Sequence, residues 1–417
     1  MQGAWRGWAA FVLAASFFGH EFVQRVSTSI LVADLMAEFA VGGAVLGSLS
    51  AFYFYAYAGM QIPVGVLMDR FGPRRLMSFA AAVSACGALI FALAPAIEFA
   101  YLGRAMIGLG ASFSWIGALT VATLWLPAAR FAMLTGLLQA GGMAGGVLGQ
   151  APLALMVGEL GWRLSLGALA AVGASLALAM YLVVPDAANT RPQTSRPRLT
   201  DGLRIAARNR QTWLNMLFGL AMTGTMLAFA GLWAVPWLET VYGFSRASAA
   251  SLASAMFLGW GVGAPLIGAV ADRVARRKAI MVVCGSAMSA TLLVLLYVPG
   301  LPAALLAGLM LANGAFASSM ILSYGAARDH SPPDASGAVY GIVNTGVVGS
   351  GALFQPTIGA LLDLNWQGTM AAGARIYDAD AYALAFAVLP AIAILGTLAA
   401  AIAAEAEKHY TKAEGSR

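Results

Sequence analysis

Apolar residues run along this chain in long blocks, and polar residues collect in the short intervals between them. The blocks fall near 8–32, 43–67, 76–96, 99–126, 132–157, 162–184, 212–238, 247–270, 279–298, 303–327, 337–362 and 381–404. Each approaches or exceeds the roughly 20 residues that a helix needs to cross a bilayer. Barrel strands would instead show as short alternating segments. The pattern predicts an all-α integral membrane protein with about twelve transmembrane helices. The first block is too long for a cleavable signal peptide and carries Glu21 and Arg25, so it reads as the first span.

Composition agrees: 60% of the 417 residues are hydrophobic and 10% are charged, against roughly 25% charged in soluble domains. Of the 24 Lys and Arg, 19 fall at the two ends of the chain or in the even-numbered connections. By the positive-inside bias both termini are cytoplasmic. The net charge of +6 therefore follows from topology; the basic residues sit in separate short loops and form no nucleic-acid footprint. Contact with anionic membrane lipid is the expected consequence. Cys86 and Cys284 lie inside apolar blocks, which indicates packing rather than a disulfide scaffold.

The longest polar connection, 185–211, follows the sixth block and divides the chain into 1–184, a cytoplasmic linker, and 212–417. An amphipathic piece near Leu203 to Ala207 is expected to lie on the membrane. The two parts repeat. Gly65-Val-Leu-Met-Asp69-Arg70-Phe-Gly72-Pro-Arg74-Arg75 leaves the second block, and Gly268-Ala-Val-Ala-Asp272-Arg273-Val-Ala-Arg276-Arg277-Lys278 leaves the eighth, 203 positions later. Pro152 and Pro356 are likewise 204 positions apart. Two pseudo-symmetric six-helix bundles around a central cavity follow, with a site near the midplane where the repeats meet.

These residues resemble the major facilitator superfamily of secondary transporters. Gly65, Leu67, Asp69, Arg70, Gly72, Arg74 and Arg75 are similar to the family's loop signature, with Pro73 inserted, and Arg104-Ala-Met-Ile-Gly108-Leu-Gly110-Ala111 is similar to its second signature. The second loop copy keeps Asp272 and Arg273 but has Ala275 in place of the second Gly. The resemblance covers essentially the whole chain, and it implies alternating access and a functional monomer. It also implies gating by Gly65, Asp69, Arg70, Gly72, Arg74, Asp272 and Arg273. Asp69 would accept hydrogen bonds from the exposed N–H groups of a helix N-terminus in the opposite half. The Gly-Pro-x-x-Gly-Gly pattern of the family's antiporters is broken in the fifth block, where Gln150 replaces the expected Pro.

Ionisable residues inside the blocks are rare and therefore informative. They are His20, Glu21 and Arg25 in the first block and Arg104 in the fourth. Glu21 and Arg25 stand at i and i+4, the favourable order for a helical ion pair. At 1.5 Å per residue, Arg25 and Arg104 lie about 10 and about 8 Å below the outer ends of their helices, so they are level. Two permanently charged guanidinium groups suit a carboxylate or phosphate. Arg25 also occupies the place of a first-span Arg in the family's organic-anion symporters. Glu21, with His20 as a weaker candidate, is the expected proton-coupling group. The neutral residues expected to complete the site are Tyr53 and Tyr57 on one helix face, Ser112 and Trp115 on the Arg104 face, and Phe229, Trp233, Asn313, Tyr324, Asn344 and Gln355 from the second half.

The combined expectation is a transporter importing a small, carboxylate-bearing organic anion with protons across a bacterial inner (plasma) membrane. Proton-coupled efflux of amphipathic drugs or metabolites is the alternative within transport. Metal import through Met222, Met226 and His20 is a third reading, and a membrane sensor that binds ligand without moving it is a fourth. No phosphate-binding loop, clustered metal ligands or nucleophile with a base is present in the sequence, so neither an enzyme nor a cofactor is expected.

Overall fold

A computed structural model describes residues 2–127, 130–185, 199–274, 276–332 and 335–405. The side chain of Asp69 and residues 186–198 of the expected linker lie outside that description. The apolar blocks return as helices. In the first half the spans are Gln2–Val26, Gly43–Phe71, Pro73–Ala92, Ile97–Trp125, Phe131–Leu148 continued by Ala151–Leu160, and Trp162–Val183. In the second they are Arg210–Ala228 continued through Tyr242, Arg246–Val274, Arg277–Tyr297, Ala303–Ala317 continued through Asp329, Ser336–Leu364, and Ala379–Phe386 continued by Val388–Ile402.

Among the described residues, ten segments are long and apolar enough to cross a membrane, and Val32–Phe39 with Gly43–Gln61, bent by 114°, makes an eleventh. The first helix completes the twelve; Arg6, His20, Glu21 and Arg25 dilute its apolar character. That helix also ends at Val26, earlier than its apolar block suggests, because Ser27 and Ser29 turn their hydroxyls back onto the Gln24 and Val26 carbonyls and the chain tightens into a 3-10 turn, Ser27–Ile30.

The repeat is visible in the packing. A Cβ on Gly108 of the fourth span would lie 2.1 Å from the Tyr53 carbonyl oxygen of the second, and one on Gly314 of the tenth would lie 2.0 Å from the Met256 carbonyl of the eighth. Only a residue without a side chain lets these backbones approach so closely. The halves meet through two interfaces that the repeat exchanges. Gly47 of the second span sits 2.4 Å (as an added Cβ) from the Gln355 carbonyl of the eleventh, and Gly146 of the fifth sits 2.8 Å from the Phe257 ring of the eighth.

The bundle has two distinguishable ends. One carries the repeated loops around Arg70 to Arg75 and Asp272 to Lys278, the signature end. The other carries a short hairpin, Met370–Ala371 paired with Ala374–Arg375, the hairpin end. The helix Leu199–Arg208, which precedes the seventh span, buries Ala206 against Ala327, Val339 and Val343 of the second half. Cys284 is buried as expected, but Cys86 is exposed: its position on the third span faces away from the neighbouring helices.

Candidate functional site

The break at the end of the first helix organises the site. The last carbonyls of a helix have no partner within it, and here a charged side chain from another span supplies one. Arg104 is fully buried; its Nη1 donates to the Gln24 carbonyl at 2.8 Å and its Nη2 to the Arg25 carbonyl at 3.4 Å. Its guanidinium also lies 5.2 Å from the Tyr53 ring centroid. The fourth span thereby fixes the point at which the first stops being helical.

Arg25, one residue from the break, is turned the other way. Its guanidinium carbon sits 4.1 Å from the Phe22 ring centroid, 5.4 Å from that of Tyr53 and 5.3 Å from that of Tyr57. Its Nε donates to the Tyr53 hydroxyl at 3.2 Å. Tyr53 and Tyr57 are stacked, with centroids 6.0 Å apart. Among the described residues no carboxylate forms an ion pair with Arg25; its charge is carried by aromatic faces and the Tyr53 and Tyr57 hydroxyls. The residue is half-buried, whereas Gln24 and Val26 beside it are fully buried.

Glu21 lies one turn earlier on the same helix, within electrostatic reach of Arg25 and Arg104. It is fully buried, and neither carboxylate oxygen meets a hydrogen-bond donor of ordinary geometry, those of Arg25 and Arg104 included. Gln24 donates both toward His20 Nε2 at 3.1 Å and to Ser84 at 3.2 Å, and its own Oε1 is left without a partner. The result is a buried polar cluster from the first, third and fourth spans holding an acid with unused acceptor capacity. An acceptor buried without a donor is costly to the helix that carries it.

The other expected residues divide into two sets. Tyr324 donates to Asn344 Oδ1 at 2.7 Å, and Asn344 Nδ2 donates to Gln61 Oε1 at 2.7 Å, a polar strut from the second half to the second span. Gln61 was not among the residues read from sequence; the spacing Tyr53, Tyr57, Gln61 on one helix face is the signal that points to it. Phe22 was missed as well, being apolar in an apolar block. The second set is engaged within the helix bundles. Asn313 donates to the Met288 carbonyl and Thr291, and Ser112 to the Leu109 carbonyl. The seventh span contains a π-helical turn, Phe229–Trp233, in which Phe229 and Trp233 are fully buried. Such a turn displaces backbone carbonyls from their usual partners. Gln355 donates to that of Leu227 at 2.9 Å and, from the other half, Gln150 donates to that of Ala230 at 3.0 Å. Trp115 packs against Phe18.

At the signature end, Gly72 takes φ +76, a value that suits glycine at the sharp turn between the second and third spans. Arg74 donates to the Tyr181 carbonyl of its own half, and Arg277 pairs with Asp329 of its own half. Arg70, Asp272 and Arg273 are exposed. A Cβ on Gly65, Gly268, Gly337 or Gly341 would meet nothing within 4 Å. The hairpin end is closed: Asp363 of the eleventh span accepts from the Gly43 and Ala44 amides at the start of the second span, each at 2.9 Å. Arg246 pairs with Asp34 at 2.7 Å, again joining the two halves.

The gentisate transporter of Corynebacterium glutamicum is 27% identical to this chain over 373 residues, 85% of this chain and 82% of that one. The probable sulfoacetate transporter of Cupriavidus necator is 21% identical over 230 residues, so the match spans only 51% of that protein and 54% of this chain. In fold, the chain is similar to a bacterial homologue of the human lysosomal transporter Spinster, solved inward-facing and unoccupied, with TM-score 0.70, 18% identity and coverage of 96% of this chain and 95% of that one. The family model of the Major Facilitator Superfamily matches residues 9–356 and again 232–416. The chain therefore belongs to the Major Facilitator Superfamily, a family of transporters and not of enzymes.

Proposed function

We propose that this protein is a secondary transporter that imports a small organic anion with protons, by alternating access, across a bacterial inner membrane. The observation that carries the reading is Arg25: a permanent charge, half-buried between the helices, cradled by three aromatic rings and, among the described residues, paired with no carboxylate. A guanidinium so placed can turn N–H groups to a carboxylate, and the surrounding rings suit an apolar or aromatic body. The names of the gentisate and sulfoacetate transporters agree with an organic acid as cargo.

In this reading Arg25, Tyr53 and Tyr57 hold the anion. Gln61, Asn344 and Tyr324 close the site from the signature end, and Arg104 positions the helix end that presents Arg25. Glu21 takes the proton: an anion reaching Arg25 screens the nearest positive charge and so favours protonation of the adjacent acid. The basic residues of the signature loops put that end and both termini in the cytoplasm, in contact with anionic lipid. The loop residues Asp69, Arg70, Arg74, Asp272 and Arg273 act when that end closes. A monomer suffices, because each half supplies one wall of the site.

The test is flux in proteoliposomes with gentisate and sulfoacetate as labelled probes. Uptake driven by an inward proton gradient and lost in Arg25→Gln supports the reading. Outward flux of amphipathic compounds that carboxylates do not inhibit would overturn it.

A further inference from the structure

The start of the second span is a helix N-terminus without a cap of its own. Its N-cap residue is Gly42, which has no side chain to satisfy the first amides. The missing acceptor comes from 320 residues away: Asp363 Oδ1 accepts from the Gly43 amide and Oδ2 from the Ala44 amide. Space explains the glycine. A Cβ on Gly42 would lie 2.6 Å from both Asp363 oxygens and from Arg375 Nη1, although the backbone there, at φ −94, suits any residue.

The carboxylate is held ready by its own half. Tyr377 donates to Oδ1 at 2.6 Å and Arg375 Nη1 donates to it at 3.0 Å. The hairpin that carries Arg375 turns through Ala372 and Gly373, both at positive φ, the geometry of a tight two-residue turn. Arg375 also rests 4.4 Å above the Trp366 ring. Burial and the neighbouring carboxylate hold the Tyr377 phenol above the ordinary tyrosine range, so it remains a donor. The Tyr377 hydroxyl also accepts from the Gly43 amide at 2.8 Å, so separation of the halves would leave this triad intact and break the contacts of Asp363 and Tyr377 to the second-span amides. The backbones are close enough to register the contact: Gly359 of the eleventh span, as an added Cβ, would sit 2.0 Å from the Gly43 carbonyl.

We propose that Asp363, set by Arg375 and Tyr377, is a latch that closes the hairpin end by capping the second span across the two halves, and that opening of this end requires its release. The chemistry is that expected from sequence for Asp69 at the other end, an acid on a helix terminus of the opposite half. Here it is built from residues outside the signature. Placing the hairpin end outside the cell rests on the orientation proposed above; the latch does not.

The test uses pulsed dipolar spectroscopy on spin labels at Val41→Cys and Gln367→Cys, with Cys86 and Cys284 replaced by alanine, so it needs no substrate. Two variants attack the latch from different halves: Asp363→Asn removes the charge and keeps the shape, and Gly43→Ala sets a methyl 2.8 Å from the Gly359 carbonyl. Asparagine keeps one acceptor oxygen, so the variant loses one hydrogen bond and the charge behind the other, which implies a shift of about tenfold in the ratio of separated to closed hairpin ends. Each variant is expected to add the same longer distance, and the double variant to add little beyond either, as parts of one unit do. Unchanged distance distributions in the folded single variants would overturn the proposal. So would full additivity in the double variant.

Discussion

Arg25 and Arg104 are the same residue type at the same depth, and the geometry assigns them opposite sensitivities. Consider Arg104→Met. The guanidinium donates to two buried carbonyls, and methionine of similar length cannot. The Gln24 carbonyl keeps a bond from Ser27 at 2.9 Å and loses less; the Arg25 carbonyl keeps none from a side chain. Leaving one buried acceptor unsatisfied and weakening another costs roughly 1–3 kcal/mol and somewhat less, respectively. Removing a buried charge returns part of its desolvation cost. The expected net loss is about 2–4 kcal/mol. Arg25→Met gives up one hydrogen bond and cation–π contacts at a half-buried position, for about 1–2 kcal/mol. Thermal unfolding in detergent, followed by tryptophan fluorescence with and without gentisate, separates the two. Arg104→Met should melt markedly lower, and any folded fraction should still be stabilised by the anion. Arg25→Met should melt near the parent and lose that stabilisation. A parent-like melting temperature for Arg104→Met, combined with loss of the anion effect, would refute the division and make Arg104 a ligand.

Three further outcomes follow from single contacts. Glu21→Gln should be as stable as the parent or more so, because neither carboxylate oxygen has a hydrogen-bond donor of ordinary geometry; in liposomes it should exchange substrate but no longer accumulate it on a proton gradient. Gly108→Val should cut the folded yield sharply, since the Tyr53 carbonyl would sit 2.1 Å from the first added carbon, whereas Gly65→Ala, at an open position, should express normally. Asn344→Leu breaks the strut to Gln61 and Tyr324; interhelical polar contacts in membranes average about 0.6 kcal/mol each, so stability should fall by roughly 1 kcal/mol while alkylation of a cysteine placed at Tyr57 from the signature end becomes faster.

The site is partly legible in the sequence. The Tyr53 and Tyr57 stripe and the isolated Arg25 stood out because charge and hydroxyls are rare in apolar blocks, and the structure brings them together. The strut shows both the reach and the limit of that reading: Asn344 and Tyr324 were expected near a ligand and instead first bind each other and Gln61. Gln355 and Asn313 looked equally free in the sequence, but one satisfies a π-helical turn and the other a carbonyl of the ninth span. A polar side chain in an apolar helix has a partner; periodicity does not say whether that partner is a substrate or a backbone.

What the sequence by itself determined was the set of spans and their repeat. In lipid every backbone group must be satisfied within its own helix, so apolar length is a local and sufficient signal. What only the tertiary structure decided was the direction in which each polar group is spent. Residues four apart on a helix point only about 40° apart, yet Glu21 is fully buried with no donor of ordinary geometry while the longer Arg25 reaches the Phe22, Tyr53 and Tyr57 rings, and Arg104, expected as a ligand, donates to the last carbonyls of the broken first helix. Asp363 is the extreme case. In the sequence it is one acid at the end of an apolar block, and its role exists only because folding sets it against an uncapped helix 320 residues earlier.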